Sequence, residues 1–169
     1  PEVARGQVTS IRIMEQMPKT VDRTWNFVMD QGPLMSASTY YAKRVWGYAP
    51  VEADGSAYFE APALKELYLQ ACDAEGREVR RMTSVLQLMP GETLSCVGCH
   101  ESRQSVAAAS NTVPLATQRA PTPLTLPEWG NAGVLDYNRV VQPVLDRHCV
   151  KCPQGTDPPK GVLLTGDFT

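Results

Sequence analysis

The chain has 169 residues, of which 43% are hydrophobic, enough to bury one or two cores and too apolar for a disordered chain. Its net charge of -2 provides no basic surface for nucleic acid. No run of 18 apolar residues occurs, so the sequence predicts no membrane span. The first residues lack an apolar signal core, and we expect that any signal peptide has been removed.

Short apolar runs separated by turn residues dominate the first hundred positions. In residues 6–17, Ile11 and Ile13 alternate with Ser10 and Arg12, which predicts a first strand. Further strands are predicted at 43–51, 56–61, 66–72, 77–81 and 85–89. Their regular spacing and intervening turns favour a mainly β fold, specifically a β-sandwich.

A C-x-x-C-H motif, Cys96 to His100, directly follows the predicted strands and the turn Pro90-Gly91. Such a motif attaches haem c: both thiols add to haem vinyl groups as thioethers, and the imidazole becomes the proximal iron ligand. A disulfide, a redox-active dithiol and half of a zinc site share the cysteine spacing, but only haem needs the adjacent histidine. The motif therefore predicts haem c on Cys96, Cys99 and His100. Since bacteria make haem thioethers outside the cytoplasm, it also predicts a periplasmic or extracellular protein.

The composition changes after residue 104. Residues 105–134 are rich in proline and alanine and predict an extended linker, with Trp129 as an anchoring point. Asp136 is a plausible N-cap for a helix whose apolar residues recur with helical period, with a kink or late start near Pro143. The predicted domains are a β-sandwich haem domain (1–104), the linker (105–134) and a helical cytochrome c-like segment (135–169). We expect that last segment to be incomplete.

A second cysteine pair, Cys149 and Cys152, lies at the end of this predicted helix and is followed by Pro153, which has no ligand atom. Three interpretations stay open. The pair holds a second haem with axial ligands from elsewhere, forms a disulfide, or contributes half of a metal site shared with Cys96, Cys99, His100 or His148. The fifth cysteine, Cys72, lies in an apolar strand-like run and is predicted to be a small buried hydrophobe.

The sixth ligand of the first haem iron has three candidates. The chain has only two histidines, so it supplies at most one bis-histidine haem, with His148 as the distal ligand. Met82 or Met89 would instead raise the reduction potential, and a five-coordinate iron would be open to a small substrate. Alternatively, His148 caps the helix C-terminus, where a cationic imidazole complements the dipole.

Three stretches carry a family resemblance: residues 51–63, residues 73–77, and residues 90–101, which contain the C-x-x-C-H motif. They resemble the middle domain of hydrazine synthase alpha subunits and their many bacterial relatives. Residues 138–169 look like the start of the cytochrome c domain that follows in that family. The resemblance implies haems at both cysteine pairs, but relatives usually carry C-x-x-C-H at the second pair, and Pro153 departs from that. Family members are usually much longer, and hydrazine synthesis itself is not implied.

The sequence favours an electron-transfer cytochrome with one or two haems c. Such a protein would exchange single electrons with redox partners or other cytochrome subunits, in an oligomer or a larger complex. The first alternative is a subunit or fragment of a multihaem redox enzyme with an open haem coordination site. The second alternative is a structural module cross-linked by disulfides or by zinc.

Overall fold

The structure, a computed structural model, describes residues 3–17, 43–97, 112–130, 133, 136–149 and 164. It divides into two compact units, Pro1–Ala132 and Gly133–Thr169. Among the predicted site residues, Cys99, His100 and Cys152 lie outside the described part of the chain.

The first unit is built on one antiparallel sheet with the strand order β2-β1-β3-β4. Its strands are β1 (Ser10–Gln16), β2 (Lys43–Pro50), β3 (Leu67–Cys72) and β4 (Glu78–Arg81). The central strand β1 places Ile13 opposite Gly47 on one side and Leu69 on the other. Ile13 and Met14 point to opposite faces, so both faces of the sheet have a buried residue at the centre. The mainly β fold class is confirmed.

Two predicted strands are wrong. Residues 56–61 form no strand and make one isolated β-bridge, between Phe59 and Thr122. Residues 85–89 likewise make one isolated β-bridge, between Leu86 and Leu67. Proline limits both segments, because Pro62 and Pro90 lack the N–H that a continuing ladder needs. Within the described residues the strands therefore form one sheet, and these extended segments cover one of its faces. Their side chains, together with Leu124, pack on the buried cluster Ile13, Ala49 and Leu67.

The opposite face buries Met14, Val45 and Tyr68, against which Met82 and Trp129 pack. Cys72 is fully buried in β3, which confirms its prediction as a small hydrophobe. Burial raises the pKa of its thiol. A buried thiol with a raised pKa contains little thiolate at neutral pH, so Cys72 is poorly suited to nucleophilic chemistry.

Residues 112–130, here called the return segment, border the edge strand β2. Tyr48 and Thr125 exchange backbone hydrogen bonds of 2.8 and 2.9 Å, and Trp129 reaches the core as predicted. Arg119 donates to the Glu52 carboxylate at 2.8 Å and to Thr122. The return segment, which falls within the predicted linker, thus packs as part of the first unit.

The second unit contains a π-helical turn, Tyr137–Val141, followed by helix α1, Gln142–His148. The Asp136 side chain accepts a hydrogen bond from the Arg139 N–H at 2.9 Å, which confirms the N-cap. The α-helix starts late, at Gln142, with Pro143 in its first turn, where proline is tolerated. No helix in the described ranges is long and apolar enough to cross a membrane.

Candidate cofactor site

A tight turn precedes the C-x-x-C-H motif. The Met89 N–H donates to the Glu92 carboxylate at 2.7 Å, and the Glu92 N–H donates to the Met89 carbonyl at 3.0 Å. Gly91 sits between them at φ 77°, a value that glycine adopts without strain. The predicted Pro90-Gly91 turn is therefore confirmed, and the chain leaves it through the exposed residues 92–97.

Cys96 lies in this exit segment, exposed and with a free thiol. A thiol that attaches a cofactor must reach a group lying outside the protein backbone, and the exposed position of Cys96 allows this. Its neighbours Leu94 and Val97 are also exposed although they are apolar. Cys96 is thus an exposed thiol with exposed apolar side chains close to it in the sequence.

Four large apolar side chains are exposed, three of them in residues 89–97 and the fourth at Leu64: Leu64 at 56%, Met89 at 59%, Leu94 at 50% and Val97 at 70%. We call them the apolar shelf. The Leu64 N–H donates to the Leu88 carbonyl at 2.8 Å, so Leu64 lies beside the start of the Met89 turn. Sequence reasoning missed Leu64, because a leucine gives no sign that its backbone will adopt a turn conformation.

The two candidate methionine ligands have different environments. Met82 is half-buried against Met14, Val45 and Tyr68, where its thioether serves the core. Met89 is exposed in the turn that precedes the motif. Of these two methionines, Met89 is the one whose side chain is available to a cofactor.

The second cysteine pair belongs to the second unit. His148 is the exposed last residue of α1, and Cys149 is half-buried with its N–H donating to the Leu145 carbonyl at 2.7 Å. Cys149 carries a free thiol. His148 and Cys149 thus lie at the C-terminal end of the helix, as the sequence predicts.

In the described ranges no three histidine, cysteine or acidic side chains come together. The zinc interpretation involves Cys99, His100 or Cys152, which lie outside those ranges, so it stays a prediction.

A clasp between residues 52–58 and the return segment is a second feature that sequence reasoning missed. Asp54, predicted only as a turn residue, accepts the Leu115 N–H at 2.8 Å, and the Ser56 hydroxyl accepts the Ala116 N–H at 3.0 Å. With the Arg119–Glu52 ion pair, these bonds fix the place where the chain returns to the sheet after the motif. The long sequence separation of the partners hides them from local pattern analysis.

Comparison with known proteins defines the class of this domain. The fold is shared with a chain of Kuenenia stuttgartiensis hydrazine synthase, at a TM-score of 0.65 and 19% sequence identity over 93% of this chain. The match covers 27% of that hydrazine synthase chain, so the present chain is much shorter. No curated protein matches.

The sequence profile of the hydrazine synthase alpha subunit middle domain matches residues 6–101, which is more than half of the chain. The chain therefore belongs to the hydrazine synthase alpha subunit middle-domain family. The matched range contains the whole sheet and the C-x-x-C-H motif.

Proposed function

We propose that this chain is the haem c-carrying β domain of a subunit of a multi-subunit redox enzyme. Cys96 and Cys99 form the thioethers, and His100 is the proximal ligand. When bound, haem c supplies one-electron chemistry at iron. The observation that carries the proposal is the C-x-x-C-H motif within the family-matched range, whose first cysteine, Cys96, is free and exposed.

Family membership favours the enzyme-subunit alternative over a stand-alone electron carrier. The family is named for one subunit of hydrazine synthase, and the related solved chain is several times longer than this one. A domain of that kind works beside others, so we propose redox protein partners or cytochrome subunits within a larger complex. Hydrazine synthesis is not part of the proposal, because a likeness at 19% identity supports the fold alone.

The protein side of the site sets the properties of the iron through its distal ligand and the polarity around the ring. Among the methionines, we propose Met89 for the distal position, because Met82 is committed to the core. His148 stays a second candidate, as the last residue of α1 in the other unit. An iron without a sixth protein ligand would be open to a small substrate.

The absorption spectrum of the purified chain tests the proposal. Haem c gives a sharp α-band on reduction, and its absence would contradict the assignment. A low-spin ferric spectrum that becomes high-spin in Met89→Ala, but stays low-spin in His148→Ala, would identify Met89 as the ligand and favour electron transfer. A high-spin spectrum in the unmodified protein would favour an open, substrate-binding iron.

We further propose a periplasmic or extracellular location, because covalent haem attachment takes place there in bacteria. Fractionation of cells that make the full-length protein tests this directly. We expect the haem-bearing protein in the periplasmic or extracellular fraction, and recovery of holoprotein in the cytoplasm would contradict the proposal.

For the second pair, the lack of a ligand at Pro153 leads us to propose that haem at Cys149 and Cys152, where present, takes its axial ligands from outside the C-x-x-C segment. A mass increase corresponding to two haems would support attachment there. An increase of one haem would limit attachment to the first pair.

A further inference from the structure

We infer that the four residues of the apolar shelf together form the surface on which the haem attached at Cys96 lies. This inference rests on the proposed function, and it assigns a role to side chains that no motif identifies. The shelf residues, Leu64, Met89, Leu94 and Val97, are half or more exposed in the protein chain.

The backbone of Leu64 adopts a left-handed conformation. It has φ 59°, and it is the one residue other than glycine with positive φ among those described. A leucine there is strained, because its Cβ crowds the following carbonyl oxygen. Asparagine or glycine tolerates this conformation better. Such strain persists where the surroundings impose it, and it occurs preferentially at functional sites. Here the bond from the Leu64 N–H to the Leu88 carbonyl holds it in place.

The side chain of Leu64 is also exposed. A leucine that is both strained and 56% exposed contributes little to the core of the sheet. A ligand that covers the side chain would explain both the strained backbone and the exposure of Leu64, because burial of the apolar side chain then offsets the strain. The same explanation covers Leu94 and Val97, which are exposed in a segment that has no regular secondary structure.

The identity of the occupant follows from Cys96. Leu94 and Val97 lie within two residues of this thiol, so a ring joined to its sulfur is within reach of both. A porphyrin offers a flat apolar face that matches exposed leucine, methionine and valine side chains. The tether also supplies the ring at a high effective concentration, so the small shelf needs little intrinsic affinity. A protein partner would need a much larger surface.

The expected consequence is a higher reduction potential. Apolar side chains against the ring exclude water and disfavour the additional positive charge of the ferric state. Removing shelf side chains should therefore lower the midpoint potential and make the haem more accessible to solvent.

The test uses the full chain matured with haem c, in the variants Leu64→Asn and Leu94→Ser. The matched control is Leu126→Ser, because Leu126 is 53% exposed but lies on the return segment. We expect every variant to retain haem by intact mass. Both shelf variants should show a lower midpoint potential and a larger response of the haem absorption band to solvent perturbants, while the control matches the unmodified protein. Leu64→Asn should melt no lower than the unmodified protein, because asparagine tolerates positive φ.

A second measurement identifies the occupant. An apolar fluorescent dye should bind the haem-free Cys96→Ser/Cys99→Ser chain more strongly than the haem-bearing protein, because haem covers the shelf. Equal dye binding would mean that the shelf stays open for another partner, which overturns the inference.

The two proposals fail in different ways. Haem-bearing shelf variants with unchanged potential and solvent response would overturn the shelf and leave the haem function intact. A chain that carries no haem under maturation conditions would overturn both.

Discussion

The carbonyl oxygen of Thr125 lies 2.5 Å from the point that a Cβ atom on Gly47 would occupy. No real Cβ contact is that short, so the return segment can border β2 only because residue 47 has no side chain. Gly47 also sits opposite Ile13 at the irregularity in β1–β2 pairing, with φ 149°. This one glycine therefore couples the sheet to the segment that brings the chain back after the motif.

The substitution Gly47→Ala should detach the return segment from β2 and lower the free energy of unfolding by about 2 to 4 kcal/mol, combining overlap with backbone strain. Gly55→Ala is the matched control: Gly55 has φ 87° but open space around it, so its cost should be about 1 kcal/mol. Urea denaturation measures both values. Equal losses would show that Thr125 does not crowd residue 47.

Arg119 is the cationic centre of the clasp, with hydrogen bonds to Glu52 and to the carbonyl of Tyr58. Both partners of the Glu52 ion pair are about one-third exposed, so Arg119→Ala should cost only about 1 to 2 kcal/mol. Limited proteolysis should show faster cleavage within residues 112–130. Arg119→Lys keeps the charge but not the planar fork, and we expect an intermediate rate. If Arg119→Lys resisted proteolysis as well as the unmodified protein, the positive charge alone would account for the contribution of Arg119 to the clasp.

Asp54 makes the clasp sensitive to acid. The Leu115 N–H, followed by the hydroxyl and N–H of Ser56, lowers the pKa of the Asp54 carboxyl. Its stabilising contribution is therefore complete above the ordinary aspartate pKa of about 3.9 and is lost as the pH falls through the lower folded value. Hydrogen exchange of the Leu115 amide, corrected for its intrinsic pH dependence, should reveal lost protection in that acidic range. Asp54→Asn cannot titrate, and an identical pH profile in this variant would exclude Asp54 as the cause.

Glu15 is a buried carboxylate at the end of β1. It accepts the Trp46 Nε1–H at 2.9 Å and lies 3.5 Å from Lys65 Nζ and 3.7 Å from Arg44 Nη1. Glu15→Gln keeps an acceptor for Trp46 but removes the negative charge that faces Arg44 and Lys65. We therefore expect the free energy of unfolding, measured with denaturant, to fall by about 1 to 3 kcal/mol. Glu66→Gln, at an exposed neighbouring carboxylate, should stay within about 0.5 kcal/mol of the unmodified protein. Similar losses in both variants would argue that the Glu15 cluster contributes nothing specific.

Sequence reasoning recovered the elements that local patterns encode. The alternation around Ile13 predicted β1, the Asp73 to Gly76 turn joined β3 to the chain leading into β4, and Asp136 capped the following helical turn. It failed where tertiary contacts decide. Phe59 and Leu86 have strand-like neighbours, but each takes part in a single β-bridge and in no continuous ladder.

The return segment illustrates the same limit. Its prolines predicted an extended linker, and its contacts with Tyr48 and Glu52 are made with residues more than sixty positions away. Gly47 offered the one local signal, because an isolated glycine within a strand pattern indicates a close backbone approach. The positive φ of Leu64 had no sequence signal at all, although it marks the apolar shelf.

The central claim is covalent haem at the first cysteine pair, and intact mass after denaturation tests it most directly. The chain matured with haem c should gain the mass of at least one haem, and the gain at the first pair should disappear in Cys96→Ala/Cys99→Ala. The matched control Cys149→Ala/Cys152→Ala should keep that haem. A chain without added haem mass, or one whose haem survives loss of Cys96 and Cys99 but not of Cys149 and Cys152, would contradict the assignment.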